Sequence, residues 1–247
     1  MANQESLVKF ESVVRTVETA KEKRITMLNG IDWQCLSGSR IAILSASQPE
    51  ADAFLSCAAG VAPVQKGTVT IDAHASWLMG EPEAMLGSLT PRQNAAFLQR
   101  IYGSKSKREQ QIKLICQLSD FEGDFFDKPL RLCNKAMKSR FCLAVSLAFD
   151  FDLFFVPKLA AWSYGSTSAR SKRFQAAFEN LTFGKTLLVS NPQRSFQKAY
   201  CNHAIVLEAG SIVLEGDLST CRSWLNQRQK EQNSKRSGWQ GNDLLSA

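Results

Sequence analysis

The stretch from Gly38 to Gly67 constrains the fold most, because it opens with a strand that has no polar face. Residues Ile41-Ala42-Ile43-Leu44 are all apolar, a pattern typical of a strand buried on both sides in a parallel sheet. The residues that follow predict a loop over 45–52, a helix over 53–60 and another strand after Gly67. Strand and helix in alternation indicate an α/β core.

The loop after this strand stands where a phosphate-binding P-loop belongs, yet it lacks the chemistry of one. The motif G-x-x-x-x-G-K-[ST] uses glycines to wrap backbone N–H groups around phosphates, a lysine to neutralise them and a hydroxyl to hold magnesium. In that frame Ser45 and Glu50 stand at the glycines, Ala51 at the lysine and Asp52 at the hydroxyl. Two carboxylates there would repel a polyanion. The sequence therefore predicts either a P-loop that no longer holds nucleotide or a turn that never was one.

The same residues offer the helix a cap of its own. Ser47-Gln48-Pro49-Glu50 fits the capping-box pattern S-x-x-E, in which the serine caps free N–H groups and the glutamate reaches back to the cap. Acidic residues in a first helical turn also complement the positive end of the helix dipole. We therefore expect a self-capped helix start that has no room or need for a ligand anion.

The composition is that of an ordinary globular protein. The chain has 247 residues, of which 44% are hydrophobic and 21% charged, enough for one domain with an inserted lobe. The most apolar run, 141–156, is broken by Asp150 and Asp152 and is too short to cross a bilayer. Residues 1–5 do not resemble a signal peptide, so the chain is expected in the cytoplasm. The seven cysteines occur singly, and no metal site is predicted.

The net charge of +7 leaves the partner open. Basic residues concentrate at 105–108 and after 228, in polar segments. A solvated surface explains them most simply, and attraction to anionic lipid on the cytoplasmic side of a membrane is a second interpretation. A nucleic-acid surface is less favoured because aromatic residues are not interleaved with the basic ones.

The rest of the chain predicts the order of the elements. Strands are expected at 6–17, 24–35, 68–72, 73–78, 153–156, 186–190, 204–207 and 211–214, and helices at 107–118, 136–149, 169–181 and 193–200. Another helix begins at the capping sequence Thr90-Pro91-Arg92-Gln93 and has Phe97, Ile101 and Tyr102 on one face. The helices within 86–149 form a lobe inserted into the α/β core of a domain over 1–227. Residues 228–247 are polar and are expected to form a flexible tail.

A chain with this order of elements resembles a known family. The most specific segment is Gly87-Ser88-Leu89-Thr90, followed by Arg92, Asn94, Phe97, Arg100 and Tyr102-Gly103. The chain is similar to the ATP-binding subunits of ABC transporters, and more narrowly to those of bacterial capsular polysaccharide exporters, over roughly residues 7–217. The resemblance implies a P-loop NTPase-like ABC nucleotide-binding domain with a mixed sheet core, an antiparallel β edge and an inserted helical lobe.

The family's nucleotide-site motifs are degenerate in this sequence. The signature motif that clamps a partner's nucleotide falls on Cys133, Asn134, Lys135, Ala136 and Met137. The strand that in the family ends in a magnesium-linked Asp and a catalytic Glu ends here in Pro157 and Lys158. We expect Asn134 to keep a hydrogen bond, and Lys158 to pair with Glu50 or Asp52 and fill the vacant space.

Three further family positions are also replaced. Asn191 stands at the position of the family's switch histidine, Val14 at that of the aromatic residue that stacks on adenine, and Leu86 at that of the loop glutamine. Losing the phosphate cradle, metal ligand, base and switch histidine together removes binding and transition-state stabilisation. The resemblance thus implies a pseudo-ATPase. No residue is assigned a catalytic or metal-binding role, and no cofactor is expected, although the family uses ATP and magnesium.

The resemblance also implies partners. In the family, the region equivalent to Leu86, Gly87, Ser88, Leu89, Thr90, Arg92 and Asn94 lies near the permease coupling helix. The chain is therefore expected to dock an integral-membrane permease of a polysaccharide exporter, as a peripheral subunit on the cytoplasmic side of the inner membrane. It is also expected to pair with a second nucleotide-binding subunit. Two alternatives remain: an active ABC ATPase with non-standard residues, and a basic regulatory or nucleic-acid-associated module.

Overall fold

The computed structural model describes residues 5–18, 24–82, 85–121 and 124–242, with the side chains of the last helix described as far as Gln232 and at Ser234. Within these residues the chain forms nine strands, seven α-helices and three single 3₁₀ turns. The strands are β1 (Ser6–Glu18), β2 (Arg24–Leu36), β3 (Arg40–Ser45), β4 (Lys66–Ile71), β5 (Ala75–Leu78), β6 (Leu153–Val156), β7 (Thr186–Val189), β8 (His203–Glu208) and β9 (Ser211–Asp217). The α-helices are α1 (Gln48–Ala58), α2 (Pro91–Tyr102), α3 (Arg108–Ser119), α4 (Lys135–Ala148), α5 (Ala169–Leu181), α6 (Arg194–Tyr200) and α7 (Leu218–Asn242). The 3₁₀ turns are Lys105–Lys107, Phe125–Asp127 and Leu130–Leu132.

The larger sheet has the strand order β5-β6-β7-β3-β8-β9. The first five strands run parallel and β9 runs antiparallel to β8, so the sheet is mixed, as expected. Ile41 to Leu44 of β3 are all buried, because β7 and β8 flank the strand and packed layers cover both of its faces. This arrangement places the carboxyl end of β3 between the carboxyl ends of its parallel neighbours β7 and β8.

The smaller sheet is antiparallel, with β1 between β2 and β4. Its inner face holds α1 through aromatic packing. The rings of Phe10 and Phe54 stack with centroids 4.6 Å apart, and Trp33 lies edge-on to Phe54 at 5.2 Å. Such pairs add about 0.5–1.5 kcal/mol each beyond their buried area, so they fix α1 against this sheet.

The helical lobe lies between β5 and β6 in the sequence and is built from α2, α3, α4 and the three 3₁₀ turns. Helix α4 is its centre: Phe141 to Ala148 are buried along an almost continuous run. A helix that is apolar on all sides must be enclosed, and α4 packs between α3 and α5. The lobe matches the predicted insertion, whereas the domain limits 1–227 stay a prediction.

Two segments differ from the expectations. Helix α1 begins at Gln48, five residues before the predicted start, because Pro49 is compatible with the first helical turn. The expected tail after Gln227 continues helix α7 as far as Asn242. Near its start the tail is held by Arg228 and Gln232, which each donate to Glu208 Oε1 at 3.0 Å. Residues 243–247 of the expected tail lie outside the described residues.

Candidate functional site

The turn between β3 and α1 is short. Strand β3 ends at Ser45 and α1 begins at Gln48, so only Ala46 and Ser47 connect them. The backbone N–H groups of Glu50 and Ala51 already donate to the carbonyl of Ser47, at 3.0 and 3.4 Å. A P-loop offers successive free N–H groups to a phosphate, whereas this chain turns directly into its helix.

Glu50 links this turn to the β8–β9 turn, which lies 160 residues later in the chain. Its side chain is 7% exposed and accepts hydrogen bonds from Ser45 Oγ and from the backbone N–H of Gly210. Gly210 lies in the β8–β9 turn at φ +81°, a conformation that favours glycine. The predicted capping box is therefore wrong: Ser47 is the N-cap residue but makes no side-chain cap, because the Glu50 carboxylate is engaged with Gly210.

Asp52 links the same helix to the end of β7. Its Oδ1 accepts from Gln48 Nε2 at 2.9 Å and from Ser190 Oγ at 2.8 Å. Gln48 Nε2 also donates to the Ser190 carbonyl at 2.7 Å. The two acidic residues of the predicted P-loop frame thus serve as acceptors for neutral donors just after β7 and in the β8–β9 turn.

The predicted ion pair of Lys158 is wrong. Lys158 is exposed, and the ion pairs found among the described residues do not join it to Glu50 or Asp52. Because both carboxylates already have hydrogen-bond donors, burying the lysine would cost desolvation without a compensating gain. At the end of β6, Pro157 is half-buried and Val156 accepts from the backbone N–H of Ser190 at 3.0 Å.

Asn191, at the predicted switch position, stabilises a local turn. It is buried, and its Oδ1 accepts the backbone N–H of Gln193 at 3.0 Å. Its carbonyl accepts from Gln197 Nε2 at 2.6 Å. The side chain is therefore used within the loop that precedes α6.

Asn134, in the predicted signature segment, is the N-cap of α4. Its Oδ1 accepts from the backbone N–H of Met137 at 2.9 Å, as expected of an N-cap asparagine. Cys133 and Met137 are buried, whereas Lys135 and Ala136 are exposed. The segment therefore exposes the side chains of Lys135 and Ala136 directly after its N-cap.

The predicted permease-coupling region is organised by Asn94, which is fully buried. Its side chain accepts from the Leu86 N–H at 2.8 Å and donates to the carbonyls of Leu86 and Thr90 at 2.9 and 3.1 Å. Gly87 and Ser88 are exposed between these anchors. The predicted cap of α2 is confirmed, since Thr90 and Gln93 form a reciprocal capping box.

The surface of the lobe carries large apolar side chains. Four of them, Leu86, Phe97, Ile101 and Leu132, are 48–59% exposed. The face of α2 that packs inward instead carries Ala95 and Leu98, so Phe97 and Ile101 point away from the core. Next to them, Arg92 donates to both carboxylate oxygens of Asp127 at 2.7 and 3.1 Å, and this hydrogen bonding lowers the pKa of Asp127.

Val14, at the predicted adenine-stacking position, is half-buried on β1. It lines an open cavity of about 430 Å³ whose described walls also include Thr16, Glu18, Arg24 and Lys66. An aromatic ring is missing from these described walls. The cavity therefore offers charged and aliphatic groups in place of a stacking surface.

The chain is 27% identical over 205 residues to the ATP-binding protein BexA of Haemophilus influenzae, covering 83% of this chain and 92% of BexA. It is 24% identical over 207 residues to the polysialic acid transport ATP-binding protein KpsT of Escherichia coli, covering 84% and 90%. It is 27% identical over 201 residues to the capsule polysaccharide export ATP-binding protein CtrD of Neisseria meningitidis, covering 81% and 90%.

Solved structures agree on the fold. The chain aligns with the dimeric ATP-binding cassette MJ0796 bound to ADP and Pi at a TM-score of 0.66 and 16% identity, covering 85% of this chain and 98% of MJ0796. An ATP-binding subunit of an ABC transporter aligns at a TM-score of 0.67 and 13% identity, covering 89% and 93%. The chain has the fold of an ABC nucleotide-binding domain. It is related to the ATP-binding subunits of ABC transporters in the capsule and polysaccharide export group.

The predicted fold class is thereby confirmed, and these relatives support the predicted family, whereas the degeneracy of the nucleotide site stays a prediction. No protein-family model matches the chain. The described helices include none that is long and apolar enough to cross a membrane.

Helix α7 is a neighbour of the site that was not predicted from the sequence. Its side chains Trp224, Leu225 and Arg228 lie against Ser45 and Glu50 around a cavity of about 130 Å³. A spacing of three or four residues from Cys221 through Trp224 and Leu225 to Arg228 places these side chains on one helical face. This periodicity, which ends inside the segment assigned to a tail, could have identified the helix.

Proposed function

We propose that this chain is the nucleotide-binding-domain subunit of an ABC transporter that exports a capsular or other cell-surface polysaccharide, and that it is a pseudo-ATPase. The polysaccharide assignment is supported by its relatives, whose names specify capsule export and polysialic acid transport. In this proposal the subunit is peripheral to the cytoplasmic face of the inner membrane. It transmits conformational changes to a permease without hydrolysing ATP itself.

The β3–α1 turn is the observation that carries the pseudo-ATPase assignment. Two residues connect the strand to the helix, and the N–H groups of Glu50 and Ala51 are taken by the Ser47 carbonyl. Glu50 and Asp52 add two carboxylates to the place where phosphates would bind. Catalysis of phosphoryl transfer depends on positioning and charge stabilisation, and neither requirement is met by these groups.

The lobe supplies the proposed docking surface for the permease. The loop of Leu86, Gly87 and Ser88 is exposed, and the buried side chain of Asn94 fixes it through hydrogen bonds to the backbone of Leu86. Exposed apolar side chains near it are typical of a protein interface. A second nucleotide-binding subunit is proposed as a further partner because MJ0796 is a dimeric cassette.

Equilibrium binding of labelled ATP to the pure chain, with magnesium at millimolar concentrations, tests the first part. We expect no saturable binding, while an active ABC ATPase measured in parallel binds normally. The relatives named as ATP-binding proteins favour the alternative of an active ATPase. Saturable binding that unlabelled ATP abolishes would establish that alternative and overturn the pseudo-ATPase assignment.

Co-purification of the chain with a co-expressed permease of a capsular polysaccharide exporter tests the second part. Leu86→Glu in the proposed docking loop is expected to lower the recovered permease at least about tenfold, because a charge would be buried in the interface. Phe183→Glu is the matched control, since Phe183 is an exposed apolar residue outside the lobe. Equal loss with both variants, or no recovery of permease with the unchanged chain, would contradict docking through this loop.

A further inference from the structure

The helical lobe carries almost all of the chain's excess positive charge. Residues 86–148 contain eleven lysines and arginines but five aspartates and glutamates, a net charge of +6 out of +7 for the whole chain. Three of these acidic residues are neutralised locally, because Asp120, Asp124 and Asp127 form ion pairs with basic side chains. The lobe therefore presents a positive potential to its surroundings, whereas the rest of the chain is close to neutral.

The outer face of α2 adds large apolar side chains to this charge. Phe97 and Ile101 lie one helical turn apart and are 48% and 56% exposed. Arg100 on the same helix and Lys105 in the following 3₁₀ turn are exposed, and neither joins an ion pair among the described residues. These four residues, Phe97, Arg100, Ile101 and Lys105, are called the α2 patch below. The patch combines exposed apolar groups with uncompensated cations.

The shape of the α2 patch is fixed by a buried glutamine. Gln99 is 3% exposed, and its Nε2 donates to the Ser104 carbonyl at 2.9 Å and to Gln111 Oε1 at 3.4 Å. These bonds tie the end of α2 and the turn that carries Lys105 to α3. Gly103 permits the close approach, since a Cβ atom there would lie 2.6 Å from Gln111 Oε1. The apolar and basic side chains are therefore presented together before any partner binds.

We propose that the α2 patch binds the anionic lipid surface of a bilayer directly, without the permease. A partner that fits the patch must offer negative charge at its surface and apolar groups beneath it. An anionic bilayer offers both within about 5–10 Å. Phe97 and Ile101 enter the boundary between headgroups and acyl chains, while Arg100 and Lys105 reach the lipid phosphates from aliphatic stems.

This lipid contact is separate from the proposed permease contact. The loop of residues 86–88 is tied to Asn94 in the first turn of α2, whereas Phe97 and Ile101 lie about 9–15 Å along the helix from Pro91. The inference goes beyond the proposed function, because it assigns a lipid partner to a different part of the lobe. The lipid contact can therefore fail while docking to the permease persists, and the reverse also holds.

Co-sedimentation of the purified full-length chain with lipid vesicles tests the contact in the absence of a permease. Vesicles of equal parts phosphatidylglycerol and phosphatidylcholine are compared with vesicles of phosphatidylcholine alone, at an ionic strength of about 0.1 M. We expect at least about tenfold stronger partition onto the anionic vesicles, since each basic side chain near the surface contributes a factor of about five. Equal partition onto both kinds of vesicle, or none onto either, would overturn the proposal.

A double variant tests the apolar half of the α2 patch. Phe97→Ser with Ile101→Ser is expected to lower partition onto the anionic vesicles at least about tenfold, because the groups that enter the bilayer are lost. Phe183→Ser is the matched control, since Phe183 is 83% exposed and lies outside the lobe, and partition should stay within about twofold. Unchanged partition of the double variant would show a purely electrostatic surface, of the kind that also attracts nucleic acid, and would overturn the lipid contact. If the double variant does not fold, Ile101→Ser alone decides, because Ile101 is the more exposed of the two.

A second double variant tests the basic half of the patch. Arg100→Gln with Lys105→Gln is expected to lower partition onto the anionic vesicles at least about tenfold. Lys66→Gln with Lys198→Gln is the matched control: it removes the same charge from exposed lysines outside the lobe that join no ion pair among the described residues. Partition of the control should stay within about twofold. An equal loss with both pairs would show attraction by net charge alone and overturn the assignment to the α2 patch.

Discussion

The carboxylate of Glu50 accepts the backbone N–H of Gly210, a residue 160 positions further along the chain. The same carboxylate accepts Ser45 Oγ at the end of β3. A glutamate at the first turn of α1 therefore joins the central strand to the β8–β9 turn. The position that in a P-loop would admit phosphate is used here to hold the sheet edge together.

Removing this carboxylate should destabilise the fold. Glu50→Ala leaves the Gly210 N–H and the Ser45 hydroxyl without their acceptor in a buried setting, and we expect a loss of about 2–3 kcal/mol in the free energy of unfolding. Urea denaturation followed by circular dichroism measures it. Glu18→Ala removes an exposed carboxylate that pairs with Arg24 and should change stability by less than about 0.5 kcal/mol. A Glu50→Ala value as small as this would contradict a structural role.

Restoring the motif residues should not restore nucleotide binding. The triple variant Glu50→Gly, Ala51→Lys, Asp52→Ser supplies three of the four motif residues and leaves Ser45 in place, but α1 still begins at Gln48 and the Ser47 carbonyl still accepts the N–H groups of residues 50 and 51. We expect no saturable ATP binding with magnesium up to millimolar concentrations, in a variant whose folding is verified by its thermal transition. A dissociation constant below about 1 mM would show that side chains, and not the short backbone turn, exclude nucleotide.

Asn94 is expected to be essential for the shape of the lobe loop. Asn94→Ala removes a buried side chain that bonds the Leu86 N–H and the carbonyls of Leu86 and Thr90, and should cost about 2–3 kcal/mol. Hydrogen exchange at Leu86 should accelerate as the loop is released. Asn202→Ala, at an exposed asparagine, should leave both stability and exchange at Leu86 nearly unchanged. Unaltered protection of Leu86 in Asn94→Ala would contradict this role.

Asp120 should make stability depend on pH in the acid range. Hydrogen bonds from Arg170, and then from Arg173, lower the pKa of Asp120 below 3.8, so the folded state binds fewer protons than the unfolded state near that pH. The contribution is present above about pH 4 and is lost as pH falls through the lowered pKa. Asp120→Asn, which suits the left-handed backbone at φ +52°, should flatten this acid dependence of the urea midpoint. An unchanged dependence would refute the assignment.

Most of the elements could be predicted from the sequence because nearby residues mark their boundaries. Strand β6 and helix α5 were predicted with their observed limits, since one is an apolar run between polar residues and the other follows the N-cap Ser168. The start of α1 differs from the predicted one because Ser, Gln and Pro are typical of a loop, although Pro49 also fits a first helical turn. Helix α7 is not predicted at all, because only one narrow face of it is apolar.

The partners of the site residues could not be predicted in the same way. Gly210 for Glu50 and Ser190 for Asp52 are contacts across more than 130 residues, which no local pattern specifies. Lys158 was expected near these carboxylates from charge alone. Neutral donors from β7 and the β8–β9 turn satisfy them instead, because those donors are already positioned by the sheet.

The place of β3 has a consequence for synthesis on the ribosome. This apolar strand pairs only with β7 and β8 among the described strands, and both are translated more than 140 residues later. At about 5–20 residues per second, β3 remains without its neighbours for roughly 7–30 seconds. Chaperone binding to the nascent chain is most valuable during that interval, when Ile41 to Leu44 have left the exit tunnel and the sheet that will enclose them has not yet been made.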